Sequence, residues 1–277
     1  MSLLLVSLFA LTLLACEGET TTAAQTEASE QVTTDESIPE GAAEAGAPLA
    51  GGEASERSDS TDRYEYRVRW SDALAEDPGL EAAVRGLADQ HLQEFLQGAG
   101  AATDSQRWTL ELDFMPCAGT SSLRCIAGDG SIHSGGAHPL PIVERLLYST
   151  AQSRPLRPDQ LFTDSGVDAA LRAISTYSRE LLLTQRISQA TVSGATADAA
   201  ARASMRDEIR SGAEPGAANY RLAEPVVGAS GRINALKFVF PPYQVASYAE
   251  GTLVAEVPAS VFAQWLRPEF RDEFVTR

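Results

Sequence analysis

FVFPPYQVASYAEG, residues Phe238–Gly251, begins as an apolar run and is stopped by two adjacent prolines. Proline lacks the N–H a ladder needs, so Pro241-Pro242 ends the strand that INALKFVF (233–240) begins, with Leu236, Phe238 and Phe240 on one face. After the turn, TLVAEV (252–257) reads as another strand, and PASVFAQWL (258–266) reads as a short helix with Pro258 near its start. Tyr243 and Tyr248 lie between the strands, ahead of Gly251. Two readings of that loop stay open. Its tyrosines pack against the body, or they form a preorganised aromatic surface, since Tyr gives large contact area at low entropic cost.

Upstream, the same alternation recurs. YEYRVRW (64–70) sets Tyr64, Tyr66, Val68 and Trp70 against Glu65, Arg67 and Arg69, a half-buried strand. DPGLEAAVRGLADQHLQEFLQG (77–98) carries a helical stripe of Leu80, Val84, Leu87, His91 and Phe95, with Gly98 as its expected stop. RWTLELDF (107–114) and PIVERLLYS (141–149) are strands, whereas the stretch from Cys117 through IAGDGSIHSGG (126–136) reads as turns. PLRPDQLF (155–162) is a turn before a helix at 167–189, with Leu171, Ile174, Tyr177 and Leu181 at helical spacing. The alanine-rich 196–212 is a second, exposed helix, and a short strand falls near 219–223. Helices and strands mix without a βαβ rhythm. The expected class is therefore α+β, with an antiparallel or mixed sheet packed by helices.

The first 62 residues of the chain differ from this body. Residues 1–16, MSLLLVSLFALTLLAC, are apolar but too short to span a bilayer, which takes roughly 20 residues. They read as a secretion signal. Its end, Leu13-Leu14-Ala15-Cys16, is similar to a bacterial lipobox, which implies diacylglycerol on Cys16 and a membrane anchor. Residues 17–62 hold twelve acidic residues against Arg57 alone and no aromatic residue. Such a segment cannot bury enough apolar area to offset its ordering entropy, so it reads as a disordered acidic linker. By analogy with Gram-negative sorting, Glu17 after the cysteine points to the outer membrane, facing the periplasm.

The folded body is then 63–277, divided into 63–150 and 151–277, with 26 acidic and 21 basic residues. That balance, without a basic patch interleaved with aromatics, gives no nucleic-acid signature. Cys117 and Cys125, an even pair in an exported chain, suggest a disulfide, with two buried thiols as the alternative.

SIHSGGAHP (131–139) holds His133 and His138 beside Ser131, Ser134, Gly135, Gly136 and Pro139. A serine hydrolase also needs an orienting carboxylate and an oxyanion hole, and no G-x-S-x-G elbow occurs here. The H-x4-H spacing falls outside the usual metal-site spacings, so no metal and no cofactor are expected. His91, on the apolar stripe, reads as a packed histidine, and Asp207-Glu208 and Asp272-Glu273 read as solvated surface. The informative part of the loop is the glycine pair, which permits a bend, with His138 expected to fix it by hydrogen bonding.

In order, Gly135-Gly136-Ala137-His138-Pro139, Leu156 to Phe162, Phe238 to Gly251 and Val254 to Pro258 resemble the RsiV/PdaC-like extracellular domain family. The resemblance spans roughly residues 63–270. It implies a secreted or membrane-anchored α+β domain that is not itself an enzyme. In the anti-sigma factor RsiV the domain binds lysozyme, and in PdaC it sits beside a separate deacetylase domain. The expectation is thus a lipid-anchored envelope protein binding a lysozyme-type muramidase or peptidoglycan. The alternative is a weak envelope hydrolase using His138 or His133.

Overall fold

The computed structural model describes residues 54–102, 106–195 and 197–276. Cys16, the signal segment and the linker up to residue 53 lie outside them. Nine strands and three helices are described: β1 (Ala54–Ser60), β2 (Tyr64–Ser71), α1 (Pro78–Ala101), β3 (Trp108–Cys117), β4 (Leu123–His133), β5 (Leu140–Ser149), β6 (Arg154–Leu156), α2 (Val167–Val192), α3 (Ala199–Gly212), β7 (Ala223–Val227), β8 (Ile233–Phe240) and β9 (Leu253–Pro258). They form a six-stranded sheet in the order β1-β2-β3-β4-β5-β6 and a three-stranded sheet in the order β7-β8-β9. All pairs are antiparallel except β2 with β3, which α1 connects as one βαβ crossover. The class is α+β as expected, with this single crossover in an otherwise antiparallel sheet.

Each half has its own core. Val68 and Trp70 of β2, Leu110, Leu112 and Phe114 of β3, and Ile142 and Tyr148 of β5 bury one sheet face against Leu80, Val84, Ala88 and Phe95 of α1. Asp77 caps α1 by accepting from the Gly79 and Leu80 amides, and Pro78 occupies its first turn. In the C-terminal half, α2 buries Leu171, Ile174 and Leu182 among Phe238, Phe240, Leu253, Ala255, Val257, Phe262 and Phe274. Tyr177 and Leu181 of the expected stripe are only half-buried, whereas Ser175, Ser178 and Arg186 are buried.

Several expected boundaries move for identifiable reasons. The linker expected to run to 62 ends sooner, because Ala54–Ser60 pairs with Glu65–Ser71 of β2. This edge strand has no apolar alternation. Backbone pairing holds it, helped by Arg57, which meets Asp89 of α1 and lies 5.5 Å from the Trp70 ring centroid. Gly98 does not stop α1; it makes room for Trp108, whose ring a Cβ there would meet at 2.7 Å. The expected turn region 126–136 is mostly strand. Gly128 faces the Phe114 ring, where a Cβ would come to 2.5 Å, and Gly130 admits the Glu111 backbone of β3 too closely for any side chain. The strand expected near 219–223 begins instead at Ala223; Pro225 fits because β7 is a sheet edge. The helix expected at 258–266 is two 3₁₀ turns, Ala259–Val261 and Ala263–Trp265.

Candidate functional site

The β4–β5 connection and the β8–β9 connection, far apart in sequence, meet on one surface. In the first, Gly135 takes φ +89°, a left-handed value that favours glycine, and produces the bend. Gly136 has an ordinary φ, so only one of the pair is used this way. His133 Nε2 lies 3.0 Å from the Gly136 carbonyl oxygen, to which it donates when protonated. The expectation that His138 pins the bend by hydrogen bonding is corrected, because that work falls to His133. His138 is exposed and stacks on Tyr248 at 5.2 Å between ring centroids and 21° between planes.

Tyr248 joins the two loops. Its hydroxyl donates to the Pro139 carbonyl at 3.0 Å, and its ring lies 5.8 Å from that of Tyr243. Tyr243 is 68% exposed and adopts φ +72°, a value that strains a bulky residue. Its amide donates to the Ala246 carbonyl at 2.9 Å, which holds that conformation. Leu140, next to Pro139, is a further exposed apolar side chain. Tyr248 thus packs against a neighbouring loop, while Tyr243 is presented to solvent.

The loop is built on a buried cation. Arg186 of α2, 4% exposed, donates from Nε and Nη2 to the two oxygens of Glu250 at 2.7 Å each, and from Nη1 to the Val245 carbonyl at 2.9 Å. Nη2 also reaches Glu208 of α3 at 2.9 Å. Burial opposes the charge on Arg186, yet its bonds to Glu250 and Glu208 outweigh that and hold its pKa above the ordinary guanidinium value. Burial likewise works against the Glu250 carboxylate, but Arg186 and the Ser247 amide overcome it and hold that pKa below the usual range. Gln244 donates both side-chain hydrogens, to the Gly212 and Asn219 carbonyls at 3.0 Å. Gly212 allows this approach, because a Cβ there would collide with the Gln244 backbone carbonyl.

Between α3 and this loop lies an open cleft of about 430 Å³, lined by Glu208, Ser211 and residues 243–247. Glu208, read from sequence as solvated surface, is instead half-exposed and tied to Arg186. Arg186, Glu208, Gln244 and Glu250 were not among the expected site residues. An arginine placed on the buried side of an amphipathic helix is the one signal that could have found them.

The remaining expected residues lie elsewhere. Cys117 and Cys125 are directly paired across β3 and β4 and form the disulfide. His91 Nε2 comes within 3.3 Å of Glu144 Oε1, without hydrogen-bond alignment. Burial opposes the Glu144 charge, but His91 and Arg221 prevail and lower its pKa. Among the described residues neither His133 nor His138 has a carboxylate partner.

No protein-family model matches the chain, and no curated protein matches it. Solved structures do. A DUF3298 family protein from Pseudomonas aeruginosa PAO1 is 15% identical, with a TM-score of 0.57, covering 83% of this chain and 99% of that one. A DUF3298 family member from Bacteroides fragilis NCTC 9343 is 13% identical, with a TM-score of 0.49, covering 81% and 97%. The first likeness shows a shared fold across nearly the whole of that protein and is consistent with the RsiV/PdaC-like resemblance of the sequence motifs.

Proposed function

We propose that this is a lipid-anchored cell-envelope protein whose folded body is a non-catalytic binding domain. Its binding surface is the exposed Tyr243 and His138 with the half-buried Tyr248 between their loops, and its first partner to test is a lysozyme-type muramidase. One observation carries the reading: loops that the Tyr248–Pro139 hydrogen bond joins across 109 residues present Tyr243, strained and exposed, on a base fixed by Arg186. A strained backbone held by surrounding contacts is commonly found where a protein meets a ligand. The hydrolase alternative finds less support. It needs an oriented histidine, and His133 is committed to a backbone carbonyl while His138 stacks on Tyr248.

The test is capture of lysozyme by the full-length chain at low ionic strength, quantified by calorimetry. Tyr243→Ala is expected to weaken binding by about 30-fold, the loss of a central aromatic anchor worth roughly 2 kcal/mol. A wild-type chain that retains no lysozyme at low salt would sink the muramidase reading.

A further inference from the structure

We propose that the cleft between α3 and residues 243–247 receives the ammonium or guanidinium end of a basic side chain from the protein partner. This rests on the binding reading above and gives the chemistry of its central contact.

The first reason is charge. Beneath the cleft one guanidinium, Arg186, faces two carboxylates, Glu208 and Glu250, so the three groups carry a net negative charge. Glu250 uses both oxygens on Arg186 and lies under the loop. Glu208, whose Oε2 accepts from Arg186 and whose Oε1 accepts from the Ser204 hydroxyl, lines the cleft with its side chain 46% exposed. Arg206 and Arg210 are equally near to Glu208 along α3, but Arg210 is paired with Asp207 and neither lines the cleft. The unspent charge at the cleft is therefore negative.

The second reason is the surface beside that charge. Tyr243 lines the same cleft with most of its ring in water. An aromatic face carries the negative part of the ring quadrupole, and a cation within about 6 Å of its centre is attracted to it. Glu208 and Tyr243 thus offer a cation two favourable contacts from two different elements.

The third reason is the supply of acceptors. Gln244 spends both amide hydrogens on the Gly212 and Asn219 carbonyls, while its Oε1 accepts no hydrogen bond among the described residues. Ser211 and Ser247 add hydroxyls to the wall. An ammonium or guanidinium group has only donors and needs acceptors when it leaves water. The wall is rich in them, and Tyr243 is strained into place before any ligand arrives. Such preorganisation lowers the cost of binding.

The experiment uses the full-length chain with native lysozyme as the basic probe and an N-acetylglucosamine oligomer as a neutral one, both measured by calorimetry. Glu208→Gln keeps shape and removes charge. Glu76→Gln, on an exposed turn of the N-terminal half, makes the same change of charge away from the cleft. Glu208→Gln is expected to weaken lysozyme binding about tenfold and Glu76→Gln less than twofold. The Glu208 difference is expected to shrink when salt rises from about 0.1 M to about 1 M, where the screening length falls from roughly 10 Å to 3 Å. Tyr243→Phe should bind within twofold of wild type, and Tyr243→Leu, which keeps apolar bulk without a π face, should lose about tenfold. Unfolding temperatures of all variants show that each is folded.

If Tyr243→Ala abolishes lysozyme binding while Glu208→Gln and Tyr243→Leu bind as wild type, the contact is apolar. The cation inference then falls and the binding reading stands. Binding of the sugar oligomer that Tyr243→Ala abolishes and Glu208→Gln spares would assign the cleft to a glycan and overturn the inference equally. A wild-type chain that binds neither probe removes both.

Discussion

Replacing Arg186 with Met tests whether the tyrosine loop is held by its buried clamp. Met retains most of the aliphatic bulk and removes the guanidinium, leaving the Glu250 and Glu208 carboxylates facing each other and the Val245 carbonyl without its donor. Removing one partner of a buried ion pair costs about 3–5 kcal/mol. Glu208 is half-exposed and contributes little, so the lower end, about 3 kcal/mol, is the appropriate expectation. For a body of this size that lowers the unfolding temperature by about 6–12 °C. The pH dependence gives a second readout. The folded-state pKa of Glu250 is depressed, so its contribution is fully present above the unfolded value, about 4.3. It is lost as pH falls through the lower folded value. Arg186→Met removes the cause of the depression. The stability gap between wild type and variant should therefore be wide at pH 7 and close as pH falls below about 4. Calorimetric unfolding at both pH values measures this. Combining Arg186→Met with Glu250→Leu should recover part of the loss, because the stranded carboxylate goes too. A single variant within 1 kcal/mol of wild type, or a gap unchanged by acid, would refute the clamp.

Reducing the Cys117–Cys125 disulfide, or replacing both cysteines with Ser, should cost about 2.5 kcal/mol for so short a loop; an unfolding midpoint unmoved by reductant contradicts this. Gly130→Ala, forced against the Glu111 backbone, should destabilise by about 3 kcal/mol in urea unfolding, at the upper end for overpacking. Gly135→Ala should cost about 1–2 kcal/mol because its φ is left-handed, whereas Gly136→Ala should stay within about 0.5 kcal/mol. Equal effects at the two glycines would refute this account of the bend. Cys16→Ser should shift the protein from the membrane fraction to the soluble fraction on cell fractionation, and retention in the membrane would exclude lipidation as the anchor.

How much of the fold was legible depended on whether burial left a periodic mark. Strands β2, β3 and β9 bury one face, so alternation exposed them; β5 and β8, buried on both faces over part of their length, showed as apolar runs, and α1 and α2 show helical stripes. Where another force placed the chain, the pattern failed. β1 has no buried alternation to show, because it pairs through its backbone at a sheet edge. β4 reads as turns because Gly128 and Gly130 are strand residues chosen for what they leave out, a side chain that would strike Phe114 or the β3 backbone. The parallel β2–β3 pair was invisible for a related reason. One crossover in a sheet otherwise antiparallel produces no repeating βαβ rhythm.

The site divides along the same line. Both stretches that form it were visible singly, since His-Gly clusters and paired prolines with tyrosines are locally unusual. Their meeting was not, because it depends on a hydrogen bond from Tyr248 to a backbone carbonyl, and any residue at position 139 would supply that carbonyl. The clamp was hidden more deeply. An arginine at position 186 looks like a surface residue until the helix is placed, and Glu208 and Glu250 look solvated until that arginine is found between them. A buried charge is costly unless fully paired, so its presence under an exposed, strained tyrosine needs a reason. A hydrophobic side chain could fill the space below the loop, but it could not fix Val245, Glu208 and Glu250 at once. Holding α3 and the tyrosine loop in one register is what Arg186 adds, and that register shapes the cleft between them.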